Sequence, residues 1–253
     1  MANGAACKLA RKLDVPHKAL LDVGGAAMID RVLQAVRDCP DLGEVVVSCL
    51  PDGPIARHLG DGAALAQPTD PTFLGGIAEG FRLLPDMNRA LLVTCDMPLL
   101  TPDAICYFAR EAARWPDADL VYGMVDVHLT RERYPDARRT AIKMREGNYT
   151  ASGFSVVSRR FVEECGPKLM AAFHARKSKF AMARLLGYSF LARLALGTLS
   201  LHQIIDRAEE LLGGRCAAVS IPYPECGFDV DSEADLAAAR AFCERVPAEG
   251  ESA

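Results

Sequence analysis

Two short apolar runs constrain this chain more than any other feature: E-V-V-V-S-C-L at 44–50 and A-L-L-V-T-C at 90–95. Pro51-Asp52-Gly53 closes the first, and Met97-Pro98 turns the chain after the second. Continuous runs of this length, bounded by turn residues, are the mark of strands buried on both faces. Helical patterns alternate with them. Residues 28–38 place Met28, Val32, Leu33, Ala35 and Val36 on one face. Residues 54–59 read as a short helix, 63–67 as a short strand and 73–84 as a helix. Another helix starts at Pro102, with Thr101 as its N-cap. Residues 119–126, 140–144 and 153–158 read as further strands. The alternation through residue 114 predicts parallel βαβ units with right-handed crossovers, hence an α/β fold with a mostly parallel central sheet.

Size and composition permit such a core. The chain has 253 residues, half apolar and a quarter charged. A chain of this length buries roughly 70% of its unfolded surface, and its apolar content excludes general disorder. A net charge of -4 argues against nucleic acid as a partner. Nine cysteines (7, 39, 49, 95, 106, 165, 216, 226 and 243) are scattered, with no C-x-x-C pair. Zinc spacing is therefore absent. The N-terminus carries Lys8, Arg11 and Lys12 with no apolar run after them, so no signal peptide is read. The expectation is a reducing cytoplasm, with cysteines acting mostly as small buried hydrophobes, Cys49 and Cys95 above all.

Residues 160–212 lack a good strand and are read as helical, broken near Gly166-Pro167, Gly187, Gly197 and Gly213-Gly214. Arg184 and Arg193 inside the apolar stretch 180–201 argue against a membrane span. Packed helices forming a small lobe are the first reading. A lipid-facing hairpin is the second, because Arg176, Lys177, Lys179, Arg184 and Arg193 recur beside apolar residues; membrane association is the less favoured of the two. The chain then returns to a strand (217–221), an acidic element G-F-D-V-D (227–231) and a helix (235–245). We read residues 1–246 as one domain with a helical insertion at about 160–212, and 247–253 as a disordered tail.

Three places can carry chemistry. Asp96 follows the most apolar strand, at the carboxyl edge where α/β sheets bind ligands. It suits Mg²⁺, which takes one or two carboxylates with water and phosphate; alternatively it caps the turn that follows. Asp229 and Asp231 are two apart, so in a strand they share a face and need a compensating cation. Part of that pair could instead cap the helix opened by Ser232. The N-terminal A-N-G-A-A-C-K-L is small and basic at its end, fit for a phosphate or for a plain loop, and matches neither standard phosphate-loop pattern. The five histidines form no ligand-spaced set. Arg138, Arg139, Lys143 and Arg145 make a basic stretch, a solvated face or a hold on an anionic acceptor.

The order A-N-G-A-A-C-K-L, H-K-A-L-L-D-V-G-G-A-A-M-I, V-T-C-D-M-P-L-L-T and G-F-D-V-D-S-E-A-D-L resembles the MobA-like nucleotidyltransferases. The resemblance covers residues 1 to about 158 and 217–245. It implies a Rossmann-like, three-layer, glycosyltransferase-A-type fold. It implies that Ala2, Asn3 and Gly4, through to Lys8, wrap a nucleoside triphosphate, GTP or CTP before others. Lys18 then neutralises phosphate, Gln67 lies near the nucleobase, and residues 150–153 line the acceptor pocket. Asp96 becomes the central Mg²⁺ ligand, and Asp229 and Asp231 a second acidic site.

The chain departs from the family pattern at three positions. Asn3 stands where the family has glycine, Lys8 where it has arginine, and Leu9 where it has methionine. Lys8 keeps the charge but loses the bidentate grip. The family's first strand precedes this loop, whereas here the sequence starts at Met1. The expectation is a clipped start, or a sheet that lacks a central strand and a product poor in activity. The reaction implied is Mg²⁺-dependent transfer of a nucleoside monophosphate to a phosphorylated small-molecule acceptor with release of pyrophosphate. Two alternatives stand beside it: a synthetase for a nucleotide sugar or a lipid-linked acceptor, and a non-catalytic nucleotide-binding module.

Overall fold

The computed structural model describes residues 8–70, 72–135, 139–175, 178 and 184–245. Helix α1 (Lys8–Lys12) leads to the small antiparallel hairpin β1 (Asp22–Val23) and β2 (Ala26–Ala27). Its turn is Gly24-Gly25, with φ of +63° and +84°. Both angles favour glycine, and a Cβ on Gly24 would lie 2.8 Å from the Cβ of Cys243. Then come α2 (Met28–Arg37), β3 (Val46–Ser48), α3 (Pro54–Leu59), β4 (Ala64–Ala66), α4 (Phe73–Leu83), β5 (Arg89–Val93) and α5 (Pro102–Ala113). The Thr101 hydroxyl caps α5 by accepting from Ala104 N, as expected.

The second half runs β6 (Leu120–Asp126), α6 (Val127–Arg133), β7 (Ile142–Met144), β8 (Gly147–Ser158), α7 (Arg159–Ala175), α8 (Tyr188–Ala195), α9 (Leu201–Leu212), β9 (Cys216–Ser220) and α10 (Glu233–Arg245). The main sheet has the order β5-β8-β6-β9, with β7 also on β8. Strands β5, β6 and β9 point one way, because β5 and β6 are each antiparallel to β8 and β9 is parallel to β6. The reversed β8 was not foreseen. It also starts at Gly147, six residues before the expected strand. Its alternation of buried Thr150, Ser152, Phe154 and Val156 with more open neighbours has a strand period of two. Small polar residues at the buried positions hide that period from hydropathy.

Strands β3 and β4 form a separate parallel pair. Among the described residues no strand joins β3 to β5. Helices cover both faces. Val32 and Ala35 of α2 and Ile105 and Phe108 of α5 pack on Val121, Phe154 and Val219. On the other face Ile77 and Phe81 of α4 and Val162 of α7 pack on Val157. The result is the expected three-layer α/β architecture.

The stretch 160–212 is helical, with breaks at Gly187, Gly197 and Gly213, all at positive φ. The expected break at Gly166-Pro167 is absent: α7 runs through it. Gly166 faces Leu74 of α4, where a Cβ would come within 2.7 Å of the leucine. Packing across that contact outweighs the poor helical propensity of the pair. Helix α7 packs on α4 and on α9, while α8 lies along β7 and buries none of its residues. No helix among the described residues is long and apolar enough to cross a membrane. Arg176, Lys177 and Lys179, invoked for a lipid-facing hairpin, lie outside the described residues, as do the expected tail and Arg138.

The cysteines depart from expectation at one point. Cys49, Cys95, Cys165 and Cys226 are buried thiols outside any disulfide, but Cys39 and Cys106 form a disulfide joining the end of α2 to α5. Spacing in sequence carried no sign of this pair, since the helix packing alone brings residues 67 apart within reach.

Candidate active site

Lys18 sits on a single 3₁₀ turn, Lys18–Leu20, capped by His17, whose Nδ1 accepts from Ala19 N at 3.1 Å. Histidine at this cap was given no role from sequence; here it fixes the turn that aims the lysine. Asp96 follows β5 and Cys95 at the carboxyl edge of the sheet. Its loop is held from behind by Arg31, whose Nε donates to Pro98 O at 2.9 Å and whose Nη1 donates to Val23 O at 3.3 Å. Gly153 of β8 backs the same loop: a Cβ there would overlap Met97 Sδ and Thr94 Oγ1.

The third part comes from far along the chain. Residues 228–231 are extended but join no ladder. Phe228 and Val230 are fully buried in a cluster with Leu9, Val23 and Leu99. Asp229 and Asp231 consequently face the other way, as two-residue alternation requires. Val230 N donates to Asp96 O at 2.9 Å, and Lys18 Nζ donates to Val230 O at 3.2 Å. Capping of α10 falls to Ser232 and Asp235, which bond reciprocally at 3.2 and 2.9 Å. Asp229 and Asp231 are thereby left free of the capping role.

One oxygen each of Asp96, Asp229 and Asp231 lies within 4.8 Å of the others. The sequence-predicted trio therefore converges. Lys18 Nζ stands 2.7 Å from Asp96 Oδ2 and 2.7 Å from Asp231 Oδ1. Burial alone would lower the Lys18 ammonium; the two carboxylates outweigh it and hold it above its ordinary value. Burial likewise pushes the Asp96 carboxyl up, and Lys18 more than offsets this, leaving it below its ordinary range. Asp229 is different. Burial, with Asp231 and Asp96 nearby, pushes it up to about 6, although Arg139 works against them.

Arg139 is the residue whose part sequence reasoning missed. It was placed on a basic stretch and offered to an acceptor. Instead its side chain is 7% exposed and engages the acids: Nη1 lies 3.0 Å from Asp229 Oδ1 and Nη2 lies 3.5 Å from Asp235 Oδ1. Nη2 also donates to Asp229 O at 2.6 Å, and the guanidinium stacks 4.7 Å over the Phe228 ring. Among the described residues, four carboxylates (96, 229, 231 and 235) face two cations (Lys18 and Arg139), an excess of two negative charges. Asp96 Oδ1 is buried without a hydrogen-bond partner among the described residues. A buried orphan carboxylate oxygen in a doubly negative oxygen cage fits a hard divalent cation.

Lys8 is exposed on the first turn of α1, and Gln67 is exposed just after β4. Thr150 and Ser152 are buried on β8. Ala2, Asn3 and Gly4 lie outside the described residues.

A mostly parallel sheet with one reversed strand, helices on both faces and acids at its carboxyl edge is the architecture of the glycosyltransferase-A-like class of fold. Within that class, the model of the MobA-like NTP transferase domain matches residues 4–184, and the chain belongs to this family. A structure described as a hypothetical transferase from Thermus thermophilus is 31% identical, with a TM-score of 0.80, covering 93% of this chain and 96% of that one. The CMP:2-keto-3-deoxy-manno-octonic acid synthetase in complex with CTP shares the fold at 13% identity, with a TM-score of 0.62 over 96% and 95% of the two chains. Molybdopterin-guanine dinucleotide biosynthesis protein A from Archaeoglobus fulgidus does so at 12% identity, with a TM-score of 0.54 over 96% and 97%. No curated protein matches the chain. The family match ends before Asp229 and Asp231, so their place in the site rests on geometry alone.

Proposed function

We propose that this protein transfers a nucleoside monophosphate from a nucleoside triphosphate to a phosphorylated small-molecule acceptor, with Mg²⁺ held by Asp96, Asp229 and Asp231. The convergence of those three carboxylates, with one orphan oxygen on Asp96, is the observation that carries this reading. An acceptor phosphate oxygen attacks the α-phosphorus in line; the bond to the β-phosphate oxygen breaks and pyrophosphate leaves. The acceptor is already an anion, so no general base is needed. Asp96, Asp229 and Asp231 would hold the cation, which would supply positive charge against the phosphates. Lys18 supplies a cation from the protein side, and Arg31 and Gly153 hold the Asp96 loop in register. Lys8, with Ala2, Asn3 and Gly4, is assigned to the triphosphate and Gln67 to the base, for which GTP and CTP are favoured. Residues 1–246 act as one domain, and the buried thiols of Cys49, Cys165 and Cys226 suit a cytoplasmic setting, against which the Cys39–Cys106 disulfide stands.

The test is pyrophosphate release measured with each of GTP, CTP, ATP and UTP, with and without Mg²⁺, across a panel of sugar and alditol phosphates. Asp96→Asn is expected to cut turnover by about a hundredfold or more, with an unchanged circular dichroism spectrum. Full turnover in that variant would sink the assignment. Metal-independent stabilisation by all four nucleotides, without turnover, would favour a binding module.

A further inference from the structure

Away from the acidic site, the chain just past α2 and the first turns of α5 bring three ligand-type side chains together. Cys39 and Cys106 are buried, and Asp41 is exposed beside them. One carboxylate oxygen of Asp41 and the two sulfur atoms lie within 4.8 Å of one another. Local structure sets the first two. Leu42 N donates to Cys39 O at 3.3 Å, closing a turn with Pro40 at its second position, so Cys39 and Asp41 project from one turn. Arg110 Nε lies 2.6 Å from Asp41 Oδ2. Arg110 stands one helical turn beyond Cys106, so the helix that carries one sulfur also fixes the carboxylate. An outer hydrogen bond of this kind is what orients a carboxylate that ligates a metal.

We propose that Cys39, Asp41 and Cys106 form a redox-exchangeable zinc site: a disulfide when oxidised, and a seat for Zn²⁺ when the pair is reduced. A dithiol reductant supplies the two electrons and two protons that break the S–S bond, and is itself oxidised to a disulfide. Zn²⁺ then takes both cysteines as thiolates, and two protons pass to solvent. The Cα atoms are 5.7 Å apart, which lets both sulfurs reach one ion at about 2.3 Å. Asp41 is the third ligand, and its exposure gives the ion a path in and leaves a fourth position for water. Two thiolates and a carboxylate carry three negative charges, which Zn²⁺ and Arg110 together cancel. Two soft sulfurs select zinc over Mg²⁺, the reverse of the all-oxygen cluster at Asp96. The sulfurs come from positions 67 apart, which is why no zinc spacing shows in the sequence. Helices α2 and α5 are thereby tied together in a reducing compartment as in an oxidising one.

The probe is Zn²⁺ itself, titrated into the reduced, metal-free protein against a chromophoric chelator, with Mg²⁺ in excess. The reduced protein is expected to bind zinc about a hundredfold or more tighter than the disulfide form. Cys106→Ala is expected to lose the same factor, and Asp41→Ala or Arg110→Met about tenfold or more. Asp96→Asn is expected to lose nothing, which separates this site from the acidic one. Zinc-edge X-ray absorption on the reduced protein is expected to show two sulfur neighbours at about 2.3 Å. Zinc is also expected to raise the urea midpoint of the reduced protein and to leave that of Cys106→Ala where it was. Should Cys106→Ala fold poorly, the unsubstituted disulfide form makes the same comparison. Equal zinc affinity of the reduced and disulfide forms, or a zinc shell without sulfur, overturns the proposal. Unchanged affinity in Asp41→Ala overturns it as well, by showing a pair of thiols without the third ligand.

Discussion

Asp229 is the site's most pH-sensitive residue. Its acid is raised from 3.8 to about 6, so the folded protein holds that proton more tightly than the unfolded chain. The contribution therefore stabilises fully below pH 3.8 and is lost as pH rises through 6, the reverse of a carboxylate whose acid is strengthened by folding. A metal ligand must be ionised, so proton and cation compete for the same oxygen. Mn²⁺ affinity, followed by electron paramagnetic resonance, is expected to fall by about tenfold per pH unit below 6 and to level off above it. An affinity constant from pH 5 to 7 would remove Asp229 from the ligand set. Asp96, Asp229 and Asp231 were legible because acids at a strand end and at alternating positions are local patterns. Arg139 was not: its neighbours in sequence are basic, and only the fold places it under Phe228 and between Asp229 and Asp235.

At the level of elements, the strand and helix rhythm was readable wherever burial was one-sided or complete. Helices α2, α4 and α5 and strands β4, β5 and β9 fall within a few residues of their expected bounds. The failures share a cause. The early part of β8 buries Thr150 and Ser152, and α7 runs through Gly166-Pro167; in both, tertiary packing overrides what the residue types prefer alone. The cap at Thr101 shows the converse, a local signal that also does long-range duty. Its Oγ1 accepts from Ala104 N at 3.3 Å and donates to Glu225 Oε1 at 2.7 Å, tying α5 to the turn that leads to the second acidic segment. Thr101→Ala is expected to cost about 1–2 kcal/mol in urea unfolding. A loss no larger than a few tenths would mean the Glu225 bond contributes nothing.

For the whole molecule, the disulfide between Cys39 and Cys106 ties the first half of the sheet's cover together. Closing a loop across 67 residues is worth about 4 kcal/mol by chain entropy. Urea midpoints with and without reductant are expected to differ accordingly, and Cys106→Ala should match the reduced protein under both conditions. Coincident midpoints would show the pair reduced in solution. The sheet's reversed strand also belongs to this scale, since it follows from no single segment.

The single bond from Val230 N to Asp96 O joins parts of the chain 134 positions apart, and it dictates where the chain can be shortened. A product ending soon after Ser220 would keep all nine strands of the described residues and every residue matched by the family model. It would nonetheless retain only one of the three clustered acids and leave Lys18 with one of its three partners. In this protein, deletion mapping by fold content and deletion mapping by chemistry would draw the minimal unit at different places, some eleven residues apart.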